Sequence, residues 1–112
     1  MTDARKNFIQ AQKRMLENYA VETKSVFPDI ASIDGRAHVL ISGEGPAVVM
    51  INGIGTPAAM WAPLMAELTG FRLYAVDLPG YGLTDVTEKF TGNLRANAVR
   101  FLKEVCDSLG LD

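Results

Sequence analysis

Among 112 residues there is one cysteine, Cys106, and one histidine, His38. A single cysteine excludes an internal disulfide. One histidine and one cysteine this far apart, with no spaced partners, exclude a zinc-type site. Cys106 falls on the apolar side of a helix pattern with no base nearby to stabilise a thiolate, so it reads as a buried structural thiol. Basic clusters are also absent. Eleven Lys and Arg stand against 13 Asp and Glu, and the formal charge is -2. Neither nucleic acid nor an anionic membrane is therefore expected as a partner. The longest apolar runs are strand-length, far short of a bilayer span. The opening stretch MTDARKNFIQAQKR is charged and has no apolar core, so export is not expected and a cytoplasmic location is the default. There is no internal repeat, low-complexity tract or domain boundary, which fits one globular domain or a piece of one.

What is present is a run of short elements. Ala4 to Tyr19 reads as a helix capped by Asp3, with Phe8, Met15, Leu16 and Tyr19 on the packed face and Arg5, Lys6, Lys13, Arg14 and Glu17 opposite. Val21 to Phe27 alternates as a strand and is broken by Pro28-Asp29. Asp34 and Gly35 turn the chain into a second strand, Arg36 to Ser42. Gly43-Glu44-Gly45-Pro46 then turns it again. These two strands predict an antiparallel hairpin at the edge of a sheet. His38 lies within the second strand, where a structural role is expected, because a catalytic base needs a loop or strand end to reach substrate.

The centre of the chain is a βαβ pattern. Ala47 to Ile51 is an unbroken apolar run, the mark of a strand buried on both faces. It stops at Asn52-Gly53-Ile54-Gly55-Thr56-Pro57. Trp61, Leu64, Met65 and Leu68 follow at helical spacing. Pro63 must sit in that helix's first turn, which puts its start near Met60 or Trp61. Gly70 suits the left-handed cap at its end. Leu73 to Val76 is the next strand, ending at Asp77 and a second glycine loop, Pro79-Gly80-Tyr81-Gly82. A last helix, Asn93 to Leu109, buries Leu94, Ala98, Phe101, Leu102, Val105 and Leu109 before Gly110 ends it.

Gly53 to Ala58 also spells G-x-G-x-x-A, a dinucleotide fingerprint, with Asp77 placed as a ribose-binding acid. Three features count against that site. Pro57 and Pro63 delay the helix, so its N-terminus would not meet a pyrophosphate. Two strands precede the fingerprint strand, which is usually the first of its domain. Asp77 leads directly into Leu78-Pro79-Gly80-Tyr81-Gly82, which a ribose-binding strand end does not need.

Asn52-Gly53-Ile54-Gly55, then Met60-Trp61, then Asp77-Leu78-Pro79-Gly80-Tyr81-Gly82-Leu83-Thr84-Asp85, together resemble the α/β-hydrolase family. That family carries a His-Gly-x-x loop after its third strand and D-x-P-G-x-G-x-S-[DE] after its fourth. The N-terminal helix and Gly35 to Gly43 are similar to carboxylesterase-like members. The resemblance covers the whole chain. It implies an α/β fold, mostly parallel, with an antiparallel edge hairpin and flanking helices. It implies hydrolysis of an ester or related small molecule, with no cofactor. The backbone N–H of Ile54 would supply one oxyanion donor. Asn52, Gly53, Gly55, Asp77 and Gly80 would shape the two loops, and Trp61 would anchor the following helix. Asn52 stands where the family has histidine, and Thr84 where it has serine.

The family's nucleophile sits on a G-x-S-x-G elbow, followed by an acid and a histidine. No such elbow occurs here. Ser25, Ser32, Ser42 and Ser108 all lack the flanking glycines, and His38 is on the wrong strand to serve as the base. Residues 1–112 are therefore expected to form a single partial domain, truncated before the nucleophile. Dehalogenation, epoxide opening and peroxidation stay open as neighbouring chemistries, and a non-catalytic fragment or binding module is the alternative from another class. Without the family's fifth strand, Val48 to Ile51 would be a bare apolar edge, prone to self-association.

Overall fold

A computed structural model describes residues 3–51, 57–79, 82–85 and 94–111, and the backbone alone for 94–96. In chain order the elements are α1 (Asp3–Asn18), β1 (Lys24–Val26), β2 (Asp29–Ile30), β3 (Gly35–Arg36), β4 (Val39–Ser42), β5 (Ala47–Ile51), α2 (Ala62–Glu67), β6 (Arg72–Val76) and α3 (Leu94–Ser108). The main sheet runs β1-β4-β6-β5. β1 and β4 pair antiparallel, with Ser25 opposite Leu40, and β4 pairs antiparallel with β6, with Val39 opposite Val76. β5 and β6 are parallel, with Ile51 beside Val76.

The period of two along each strand divides the core into two layers. Leu40, Met50, Leu73 and Ala75 face Leu16 of α1 and Ala58, Ala59, Ala62 and Met65 before and within α2. Val39, Ile41, Tyr74 and Val76 face Phe101 and Val105 of α3, together with Ile30 and Ile33. Phe101 is fully buried, a burial worth roughly 1.5–3 kcal/mol. Among the described residues no helix is long and apolar enough to cross a membrane.

The expected α/β layout and edge hairpin are both present, but the hairpin strands are shorter than their alternation suggested. Gly35 and Arg36 leave the main sheet and pair with Asp29 and Ile30 instead. A 3-10 turn at Ala31–Ile33, closed by Asp34 in the left-handed region at φ 50°, makes that small hairpin possible. β5, expected to be buried on both faces, is only half-covered, because it pairs with β6 alone and forms the edge of the described sheet. β6, lying between β4 and β5, is the strand whose residues after Arg72 are all buried. The helix stripes also move. Tyr19 lies past the end of α1 and is exposed, whereas Gln12 is in the buried stripe. Leu64 is exposed and the α2 layer is closed by Ala62 and Met65. Cys106 is half-buried rather than buried.

Pro63 does lie in the first turn of α2, which is preceded by a 3-10 turn at Ala58–Trp61. α2 thus begins well clear of the glycine loop. At the far end, Leu111 N–H donates to Cys106 O at 2.8 Å and Gly110 N–H to Asp107 O at 3.2 Å, the paired bonds of a glycine-closed helix end.

Candidate functional site at the carboxyl edge of the sheet

The parallel pair β5 and β6 sends its carboxyl ends to one edge, where Ile51 lies beside Val76. β4 runs the other way, so its first residues reach that same edge. This juxtaposition brings His38 against Asp77, 39 positions apart in sequence.

Both side chains are fully buried. His38 Nδ1 lies 2.6 Å from Asp77 Oδ2. An ionised carboxylate only accepts hydrogen bonds, so Nδ1 carries the proton. Asp77 Oδ2 also accepts the Leu83 N–H at 3.1 Å, and Oδ1 accepts the Ala58 N–H at 2.5 Å. The Asp77 backbone is held as firmly. Its N–H donates to His38 O at 3.0 Å, and its carbonyl accepts the Thr84 hydroxyl at 2.6 Å. Thr84 Oγ1 in turn accepts the His38 N–H at 2.8 Å. A buried carboxylate is costly unless its oxygens are satisfied, and here three donors converge on it. Gly82 has φ +54°, and a Cβ there would overlap the Asp77 carboxylate, so only glycine lets the second loop pass this close.

On its other side, His38 Nε2 is 2.9 Å from Ser25 Oγ, and the Phe27 ring lies over the imidazole at a centroid distance of 5.0 Å. Ser25, His38 and Asp77 thus share the hydrogen-bond order of a nucleophilic triad. The likeness stops at connectivity. Ser25 sits inside an extended strand paired with β4. Successive N–H groups of such a strand point in opposite directions and cannot converge on an oxyanion.

Of the residues singled out from sequence, Asp77 and Trp61 are described, whereas Asn52, Gly53, Ile54, Gly55 and Gly80 lie outside the described residues. Asp77 accepts the Leu83 N–H through its carboxylate and the Thr84 hydroxyl through its carbonyl. Trp61 is half-buried and packs against the layer formed by Ala58, Ala62 and Met65. Thr84 shows why a hydroxyl belongs at its position, since that oxygen bridges two backbone groups. His38, expected to be structural, is fully buried against Asp77, Ser25 and Phe27. Its partner Asp77 was not legible, because an antiparallel register brings them together.

The geometry also weighs on the dinucleotide reading. Both oxygens of Asp77 are taken by protein donors, and so is the Ala58 N–H at the approach to α2. Neither is left for a ribose or a pyrophosphate. Among the described residues no group of three or more His, Cys, Asp or Glu could hold a metal ion. A cavity of about 600 Å³ lies near Arg72 at the opposite end of β6, lined by Glu22, Ser42, Met65 and Phe71 rather than by the carboxyl-edge residues.

No family model matches the chain. Individual proteins do. Over 57 residues it is 40% identical to the pimeloyl-[acyl-carrier protein] methyl ester esterase of Shewanella oneidensis, a match covering 51% of this chain and 20% of that protein. Over 84 residues it is 34% identical to the 2-hydroxy-6-oxo-6-phenylhexa-2,4-dienoate hydrolase of Burkholderia cepacia, covering 69% of this chain and 28% of that one. Its structure superposes on naproxen esterase (carboxylesterase NP) of Bacillus subtilis with a TM-score of 0.81 and 28% identity, over 98% of this chain and 39% of the other. Carboxylesterase CesB of the same organism gives a TM-score of 0.78 at 28% identity, with the same coverage. The chain therefore spans about a fifth of the first curated relatives and two-fifths of these solved structures. Sequence and fold together place the chain with the α/β hydrolases, where it is similar to the N-terminal portion of their carboxylesterase-like members.

Proposed function

We propose that this chain is part of a hydrolase that cleaves esters of small molecules through a covalent intermediate. The nucleophile and the catalytic histidine of its triad lie outside these 112 residues. The Ile54 N–H supplies one oxyanion donor, with Asn52, Gly53 and Gly55 shaping the loop around it. The observation that carries this reading is that Ile51 and Ala58, which bound the glycine segment in sequence, both stand at the carboxyl edge, where Asp77 also holds Leu83. Esterase relatives on both the sequence and the structure side support ester cleavage.

The test is hydrolysis of p-nitrophenyl esters by the full gene product. Ile54→Pro removes the donor and should lower kcat on the order of 100- to 1000-fold, the usual effect of losing one oxyanion donor. Ile54→Ala keeps the N–H and should stay close to wild type. Equal activity of the two variants would refute the role of Ile54. Absence of a nucleophile elbow from the gene product would refute the hydrolase reading itself, in favour of a non-catalytic binding module of the same fold.

A further inference from the structure

We propose that Asp77, steadied by His38, is the positioning residue that fixes where the chain leaves the glycine loop and thereby aims the loop's backbone donors. The catalytic consequence rests on the esterase reading above. The clamp itself rests on geometry alone.

Ile51 and Ala58, which flank residues 52–57 in sequence, are held by neighbouring residues at the carboxyl end of β6, Val76 and Asp77. Ile51 is held in the ladder beside Val76, and Ala58 donates its N–H to Asp77. One carboxylate then binds both loops, Ala58 through Oδ1 and Leu83 through Oδ2. Three donors in different directions fix the plane of that carboxylate. His38 is the one that ties it to the rest of the sheet. Its ring is pinned by Ser25 at Nε2, covered by Phe27, and wholly buried. A tether therefore runs from edge strand β1 through His38 and Asp77 to Ala58. Neither His38 nor Asp77 is accessible, so neither touches substrate. Their effect on a reaction would come through placement, and a misplacement of about 1 Å can cost roughly 100-fold in rate.

Asp77→Asn keeps the shape but leaves one accepting oxygen. That oxygen is best used on the side of two donors, Leu83 and His38, so Ala58 is the group released. In the full gene product, amide exchange at Ala58 should be slow in wild type and markedly faster in Asp77→Asn. The nitrogen shifts of the His38 imidazole should keep the Nδ1–H form. With p-nitrophenyl acetate, kcat should fall on the order of 100-fold while KM changes less than about twofold, the signature of lost transition-state alignment. His38→Ala should reproduce part of that loss. His38→Asn, whose amide nitrogen can replace Nδ1–H as donor to Asp77, should restore it, which separates positioning from general damage to the fold.

Unchanged kcat and unchanged Ala58 exchange in Asp77→Asn would overturn the proposal. So would a His38→Asn variant as impaired as His38→Ala. Labelling of Ser25 by a fluorophosphonate would overturn it too, by making the network a nucleophilic triad. If the wild-type gene product cleaves no ester, the function proposed above falls, and Ala58 exchange still decides the clamp.

Discussion

Thr84 carries two bonds on one oxygen. Its hydroxyl donates to Asp77 O and accepts from the His38 N–H, and all three residues are buried. Thr84→Ser keeps that oxygen and should leave stability nearly unchanged. Thr84→Val keeps the shape but leaves a buried N–H and a buried carbonyl without this partner, at about 1–3 kcal/mol for each group left unsatisfied. Urea denaturation of the two variants measures the difference, and equal midpoints would show that the bridge contributes nothing. Sequence alone identified a hydroxyl position within a glycine-rich motif. It did not identify what the hydroxyl bridges, because Thr84 and His38 are 46 residues apart and meet only through the register of β4 against β6.

Gln12 shows how far an element can be read from spacing. Apolar spacing placed Phe8, Met15, Leu16 and Tyr19 on the packed side of α1, yet Tyr19 is 45% exposed and Gln12 only 9%. The helix ends at Asn18, and Ala20 at φ 55° turns the chain away before Tyr19 can face the sheet. Gln12 lies between Phe8 and Leu16 in the same stripe, and a pattern built on apolar letters passes over it. Its Oε1 is buried without a hydrogen-bond partner among the described residues. Gln12→Met fills the same space with no unsatisfied polar atom. It should raise stability by roughly 1 kcal/mol, within the range for an uncompensated buried amide. A lower thermal midpoint in Gln12→Met would contradict this.

The hairpin strands diverge from their pattern for a related reason. Alternation extends from Arg36 to Ser42, but Arg36 donates its N–H to Asp85 Oδ2 at 2.8 Å and accepts from the Asp85 N–H at 2.9 Å. The start of that segment is thus engaged by the second glycine loop and by β2, and the ladder with β1 begins only at Val39. The βαβ core was legible because its cues are local. An apolar run, a pair of prolines and a capping glycine each restrict the backbone where they stand.

At the scale of the molecule, the exposed edge is β5. Ile51 is 40% exposed, and β5 pairs on one side only within the described sheet. An apolar strand with unpaired backbone groups is a template for further pairing. The 112-residue chain should therefore self-associate with rising concentration in sedimentation experiments. Ile51→Lys should reduce that association, since a charge on the edge opposes strand addition. A chain that stays monomeric at all concentrations would refute this account of β5.

The α/β class, the order of the central elements and the late start of α2 follow from the residues alone, because each rests on steric rules acting within a few positions. That β6 rather than β5 is the covered strand comes from the packing of the whole sheet, since burial on both faces depends on neighbours that local pattern does not name. The tertiary structure also decided the meaning of His38. A lone histidine in a strand has no local signal for its role. The antiparallel course of β4 carries it to the carboxyl edge, where burial leaves it one strong partner, the carboxylate of Asp77.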